Sequence, residues 1–108
     1  MKRINRKVID WSKTAKNLQL LRNDNMNLRR YVCYVLKYGD AKCTGECETC
    51  KFDMDNNISQ SELAKVFNVS TSMIANWENC KSKPSLEDLI LYSEICGTDL
   101  YDILVFQN

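Results

Sequence analysis

A chain of 108 residues, 44% hydrophobic and 27% charged, has room for one hydrophobic core and not for two. No apolar run approaches the ~18 residues of a membrane span, and the basic start MKRINRKVIDWSK lacks the apolar segment of a secretion signal. A cytoplasmic protein with reduced thiols is the expectation, and the absence of histidine removes Ser/His/Asp and Cys/His catalysis.

The net charge of +1 conceals a split: residues 1–42 hold eleven Lys/Arg against three acids, and residues 43–108 hold four Lys against eleven. Either the N-terminal part faces a polyanion or an acidic partner, or the halves are solvated faces that partly neutralise each other.

Helical spacing dominates a sequence with three glycines and one proline. Asp10 or Ser12 can cap a first segment in which Trp11, Ala15, Leu18 and Leu21 recur at steps of three and four. Residues 23–27 are poor helix formers and predict a break. Beyond it Leu28, Tyr31, Val32, Val35 and Leu36 line one face of a second helix, with Gly39 as its stop. Residues 40–57 have no periodicity and read as a loop.

After the loop, Ser59 with Glu62 three residues on forms a capping box, and Leu63, Ala64 and Phe67 make the buried side of the helix that follows. Asn68 closes it, and Ser70 caps the next, whose Ile74 and Trp77 face inward. Residues 81–84 form a turn. Ser85 caps a helix through Leu86, Leu89, Ile90 and Ile95 to Gly97, and Leu100, Ile103 and Leu104 mark a last one.

Two short helices on a tight turn form the helix-turn-helix pattern, whose second helix enters the DNA major groove. The stretch ISQSELAKVFNVSTSMIANWENCKSKPSLEDLILYSEICGTDLYDILVF resembles the XRE family of bacterial and phage regulators, related to Cro and the lambda repressor. The matching marks are Ser59-Gln60, Glu62-Leu63-Ala64, Val69-Ser70, Ile74, Trp77-Glu78, Lys83-Pro84-Ser85-Leu86, Gly97, Leu100 and Ile103-Leu104. They cover about half the chain.

The resemblance implies a recognition helix at about residues 70–79, with Thr71, Ser72, Met73 and Asn76 on its outer side. Asn pairs bidentately with adenine, and a Thr methyl or Met meets the thymine methyl. Gln60, Ser70, Asn79, Lys81 and Lys83 flank that helix and suit phosphate contacts. Trp77, Phe67 and Cys96 read as core. Cys80 stands where many family members carry glycine, its thiol expected to be exposed.

One feature departs from the family. Its Leu-Arg pair on the first helix precedes the second helix by a few residues, whereas thirty-five residues separate Leu21-Arg22 from Ile58. Either residues 11–24 are the first family helix and residues 25–57 an insertion, or residues 26–38 are that helix, using Leu28-Arg29, after an extra arm. The first reading is preferred, because the opening from Val8 to Arg22 resembles the family's. It predicts that Arg22 meets Glu78.

The insertion contains CTGECETC, in which Cys43, Cys47 and Cys50 are spaced C-x3-C-x2-C. A long loop with little apolar content needs an ordering force, and a tetrahedral zinc held by four thiolates supplies one. Cys33 on the preceding helix is the expected fourth ligand, with Asp40, Asp53, Asp55 and Cys80 as alternatives. A redox pair of Cys47 with Cys50 or Cys43 is the competing reading. The same spacing holds the cluster of radical-SAM enzymes, whose barrel 108 residues cannot build.

The expected fold is therefore all-α: a lambda-repressor-like helix-turn-helix bundle, one domain over residues 1–108, with an inserted helix and Cys-rich loop at 25–57. The expected function is that of a sequence-specific DNA-binding transcriptional regulator, a repressor binding double-stranded DNA as a homodimer. No enzyme activity, small-molecule substrate, membrane or separate ligand-binding domain is expected. The rival is an antitoxin-like or adaptor module whose basic half grips an acidic protein.

Overall fold

The computed structural model describes residues 6–38 and 57–107. These fold as helices, joined near the two ends by an antiparallel bridge between Ile9 and Phe106. Helix α1 spans Trp11–Asp24 and begins at Asp10, whose carboxylate accepts the Lys13 N–H at 3.0 Å; the cap is Asp10 and not Ser12. Asn25 interrupts the helix in extended geometry and caps α2, Met26–Cys33, by accepting the Leu28 N–H at 2.9 Å. The break predicted at residues 23–27 is therefore a single residue that ends one helix and starts the next.

The second apolar stripe is corrected in part. Leu28 and Val32 are buried, but Tyr31, Val35 and Leu36 are exposed. A π-helical turn over Tyr34–Tyr38 breaks the 3.6-residue phase at Val35 and Leu36, whereas Tyr31, within α2, stands at the outer edge of the stripe set by Leu28 and Val32. Gly39 and the loop cysteines Cys43, Cys47 and Cys50 lie outside the described residues.

Helix α3, Gln60–Phe67, starts at a reciprocal capping box between Ser59 and Glu62, and α4, Thr71–Glu78, starts at Ser70. Helix α5, Leu86–Cys96, has a second capping box of the same kind, Ser85 with Asp88, and ends at Gly97 with φ +64°. Helix α6, Leu100–Ile103, is capped by Asp99. Each cap satisfies a backbone N–H that the first turn leaves without a helical partner, worth ~1 kcal/mol.

One core joins these helices. Leu18 of α1, Leu28 and Val32 of α2, Ile58, Leu63 of α3, Ile74 of α4, Tyr92 of α5 and Ile103 of α6 are all but fully buried. Burying each large apolar side chain contributes roughly 1.5–3 kcal/mol. Polar ties fix α1 over the end of the chain. The buried Thr14 hydroxyl accepts the Val105 N–H at 2.9 Å, and Asn17 Nδ2 donates to the Ile103 carbonyl at 3.1 Å. With α1 anchored in this way, its Arg22 is available to the far side of the core.

Candidate DNA interface

The turn between α3 and α4 is short because Asn68 takes the left-handed conformation, φ 57°, which lets the Val69 N–H return to the Ala64 carbonyl at 3.0 Å. Asn visits that region at lower cost than most residues. Two residues later the Ser70 hydroxyl accepts the Met73 N–H at 3.0 Å, and α4 begins. The inner side of α4 is locked by Ile74 and Trp77, both buried. Trp77, Phe67 and Tyr92 form an aromatic cluster, with the Phe67 and Tyr92 ring centroids 4.6 Å apart edge to face. Trp77 and Phe67 are core residues, as expected.

With that side fixed, α4 leaves Thr71, Ser72 and Met73 exposed and Asn76 half-buried. None of the four is charged, so this surface offers hydrogen bonds and apolar contact without a large electrostatic field of its own. Asn79 and Cys80 are exposed beyond the helix. Cys80 has φ +61°, a left-handed geometry that favours glycine. The chain then folds back as the Lys81 N–H donates to the Asn76 carbonyl at 2.8 Å. Lys81 and Lys83 are exposed on this turn, and the Lys83 ammonium lies 5.3 Å from the centre of the Trp11 ring at the start of α1.

Beneath the helix end lies a polar network. Arg22 of α1 grips Glu78 with two parallel bonds, Nε to Oε2 at 2.8 Å and Nη2 to Oε1 at 2.9 Å. The same guanidinium donates from Nη1 to the Ile58 carbonyl at 2.7 Å, just before α3. Gln60 Nε2 donates to Glu78 Oε1 at 3.1 Å. A carboxylate only accepts, so the amide must turn its nitrogen toward Glu78. The expected Arg22–Glu78 pair is thus present.

Gln60 opens α3, Ser70 to Met73 open α4, Asn76 lies on its second turn, and Asn79, Lys81 and Lys83 follow it. Through Glu78 the network joins Gln60 to the C-terminal end of α4. Sequence reading had no signal for this bond or for Trp11 beneath Lys83, since each joins residues far apart in the chain.

Of the expected metal ligands, Cys33 is described: it is buried at the end of α2, in the core cluster. Cys43, Cys47 and Cys50 fall outside the described residues, among which no three His, Cys, Asp or Glu side chains gather to hold a metal. Cys80 is exposed and Cys96 is buried, both as expected. Burial pushes the Cys96 thiol up to about 11. No helix among the described residues is long and apolar enough to cross a membrane.

The fold is an all-α, lambda-repressor-like helix-turn-helix bundle. Residues 54–103 match a protein-family model described as Helix-turn-helix, and that stretch is similar to DNA-binding regulatory domains rather than to enzymes. No curated protein and no solved structure gives a match.

Proposed function

We propose that the protein is a sequence-specific DNA-binding transcriptional regulator of bacterial or phage type, a repressor that acts as a homodimer and docks α4 in the major groove. The observation that carries this reading is the outer surface of α4. Thr71, Ser72, Met73 and Asn76 sit on a helix whose opposite side is locked into the core, and Lys81 and Lys83 are exposed on the turn beyond it. The family match over residues 54–103 supports it. Major-groove bases would be read by the α4 side chains, and phosphates would be met by Gln60, Ser70, Asn79, Lys81 and Lys83. A palindromic operator calls for two copies.

The same reading takes residues 25–57 as an insertion after the first family helix. Support comes from the arginine that meets Glu78, which is Arg22 and not Arg29. Zinc held by Cys43, Cys47, Cys50 and Cys33 remains our proposal for ordering that insertion, resting on the thiol spacing. Elemental analysis of protein purified under reducing conditions tests it: about one zinc per chain is the expectation, and six titratable thiols with no metal would end it.

Binding to random duplex DNA across a salt series tests the main reading. A regulator of this kind weakens steeply as salt rises, through counterion release. A chain that ignores duplex DNA at low salt, yet captures an acidic protein, is instead the adaptor that the charge split between residues 1–42 and 43–108 allows.

A further inference from the structure

Glu78 has more hydrogen bonding than the fold requires of it. Both its oxygens are met by the Arg22 fork, at 2.8 and 2.9 Å, so its charge is already compensated without Gln60. Among the described residues the Gln60 side chain makes no other hydrogen bond: it is half-buried, outside the core, and the capping box that starts α3 uses Ser59 and Glu62 instead. The 3.1 Å bond between the two therefore acts mainly on Gln60, restraining a long side chain that would otherwise rotate. A planar amide held by one Nε2 proton keeps the other proton in a fixed direction.

We propose that Glu78 is a positioning residue for DNA binding: clamped by Arg22, it pre-orders the Gln60 amide, whose second Nε2 proton donates to a backbone phosphate. This inference rests on the DNA-binding reading and adds to it a residue that touches no DNA. Arg22 serves two purposes. It fixes the carboxylate, and it neutralises a charge near the end of α4 that would repel phosphate. Gln60 then binds with its rotamer entropy already lost, which is how pre-ordering strengthens a contact.

The test is a cycle of four full-length chains on one random-sequence duplex at low salt: wild type, Gln60→Met, the apolar exchange Arg22→Met with Glu78→Met, and all three changes together. The exchange removes both charges at once and leaves no buried ion alone. Gln60→Met should lower affinity about tenfold, the scale of one hydrogen bond to a charged group. The exchange should cost a similar factor, and adding Gln60→Met to it should cost nothing more. Because Gln60 is uncharged, the salt slope of Gln60→Met should stay parallel to wild type, whereas Lys81→Ala lowers the slope by about one contact. A structural role for Glu78 would not give this loss of additivity.

Wild-type affinity in Gln60→Met, or independent losses that multiply in the triple variant, would overturn the proposal while leaving DNA binding intact. A wild-type chain that binds no duplex overturns both. Should the exchanged chain fail to fold, the Gln60 side-chain amide of the wild-type protein decides by NMR. Two well-separated proton signals that move on duplex addition support the proposal, and signals that stay put refute it.

Discussion

Arg22 and Glu78, fifty-six residues apart in sequence, meet through a bidentate bond with side chains only 12% and 2% exposed. Removing one partner of a buried pair strands the other charge, at a cost of ~3–5 kcal/mol. Arg22→Met should therefore lower the stability measured by urea unfolding by about that amount. The double exchange with Glu78→Met should recover most of it, since two apolar side chains need no partner. A single variant within ~1 kcal/mol of wild type would mean that the pair behaves as a surface ion pair.

The outer side of α4 gives a second prediction. Asn76 is uncharged and half-buried on the second turn, whereas Lys81 is exposed beyond it. On an operator selected from a random library, Asn76→Ala should cost roughly 1–3 kcal/mol and relax preference at one base step. Lys81→Ala should weaken every duplex about equally. If Asn76→Ala leaves both affinity and preference untouched, α4 does not dock in the groove as proposed.

Gly97 ends α5 with φ +64°, and a Cβ built there would stand 2.8 Å from Asn27 Nδ2. That nitrogen donates to the Cys96 carbonyl at 3.1 Å, and Asn25 Nδ2 donates to the same oxygen at 3.2 Å, so the start of α2 is tied to the end of α5. Gly97→Ala brings a left-handed penalty of ~1–2 kcal/mol and displaces Asn27. Thermal unfolding should show this loss. Adding Asn27→Ala should change it by less than the sum of the two single effects, because both remove the same tie.

What the sequence made legible was local. Ser59, Glu62 and Ser70 mark helix starts because a cap and the N–H it accepts from lie within three residues. The exposed Cys80 thiol was expected too, whereas its left-handed backbone was not read from the sequence. The Arg22–Glu78 pair needed the family resemblance, since nothing in the spacing joins those two residues. Val35 and Leu36 were misread because a π-turn alters the period on which stripe reading depends, and Tyr31, in the regular helix before that turn, sits at the edge of the stripe. Tyr92 was missed as core because its burial depends on Phe67 and Trp77, which come from α3 and α4. The Gln60–Glu78 bond was out of reach for the same reason: its partners come from different helices.

Tyr92 yields the last prediction. Its ring is fully buried against Phe67 and Trp77, and its hydroxyl has no hydrogen-bond partner among the described residues. An unmet buried hydroxyl gains nothing from folding, so Tyr92→Phe should be neutral or stabilising by up to ~1 kcal/mol near pH 7. The same burial, with the charge of Glu78 added, pushes the phenol well above its ordinary 10.0, and burial raises the Cys96 thiol from 9.0 to about 11. Both groups are acids that the fold keeps protonated. Above their ordinary values the unfolded chain releases protons that the folded chain retains, so rising pH favours unfolding. Their contribution is fully present below about pH 9 and is lost as pH climbs, first through the Cys96 window up to about 11 and further for Tyr92. Urea midpoints between pH 8 and 11 should fall in wild type, and Tyr92→Phe should flatten the part of that fall above about pH 10. A variant whose midpoint follows the wild-type curve throughout would show that the phenol titrates as freely in the folded chain as in the unfolded one.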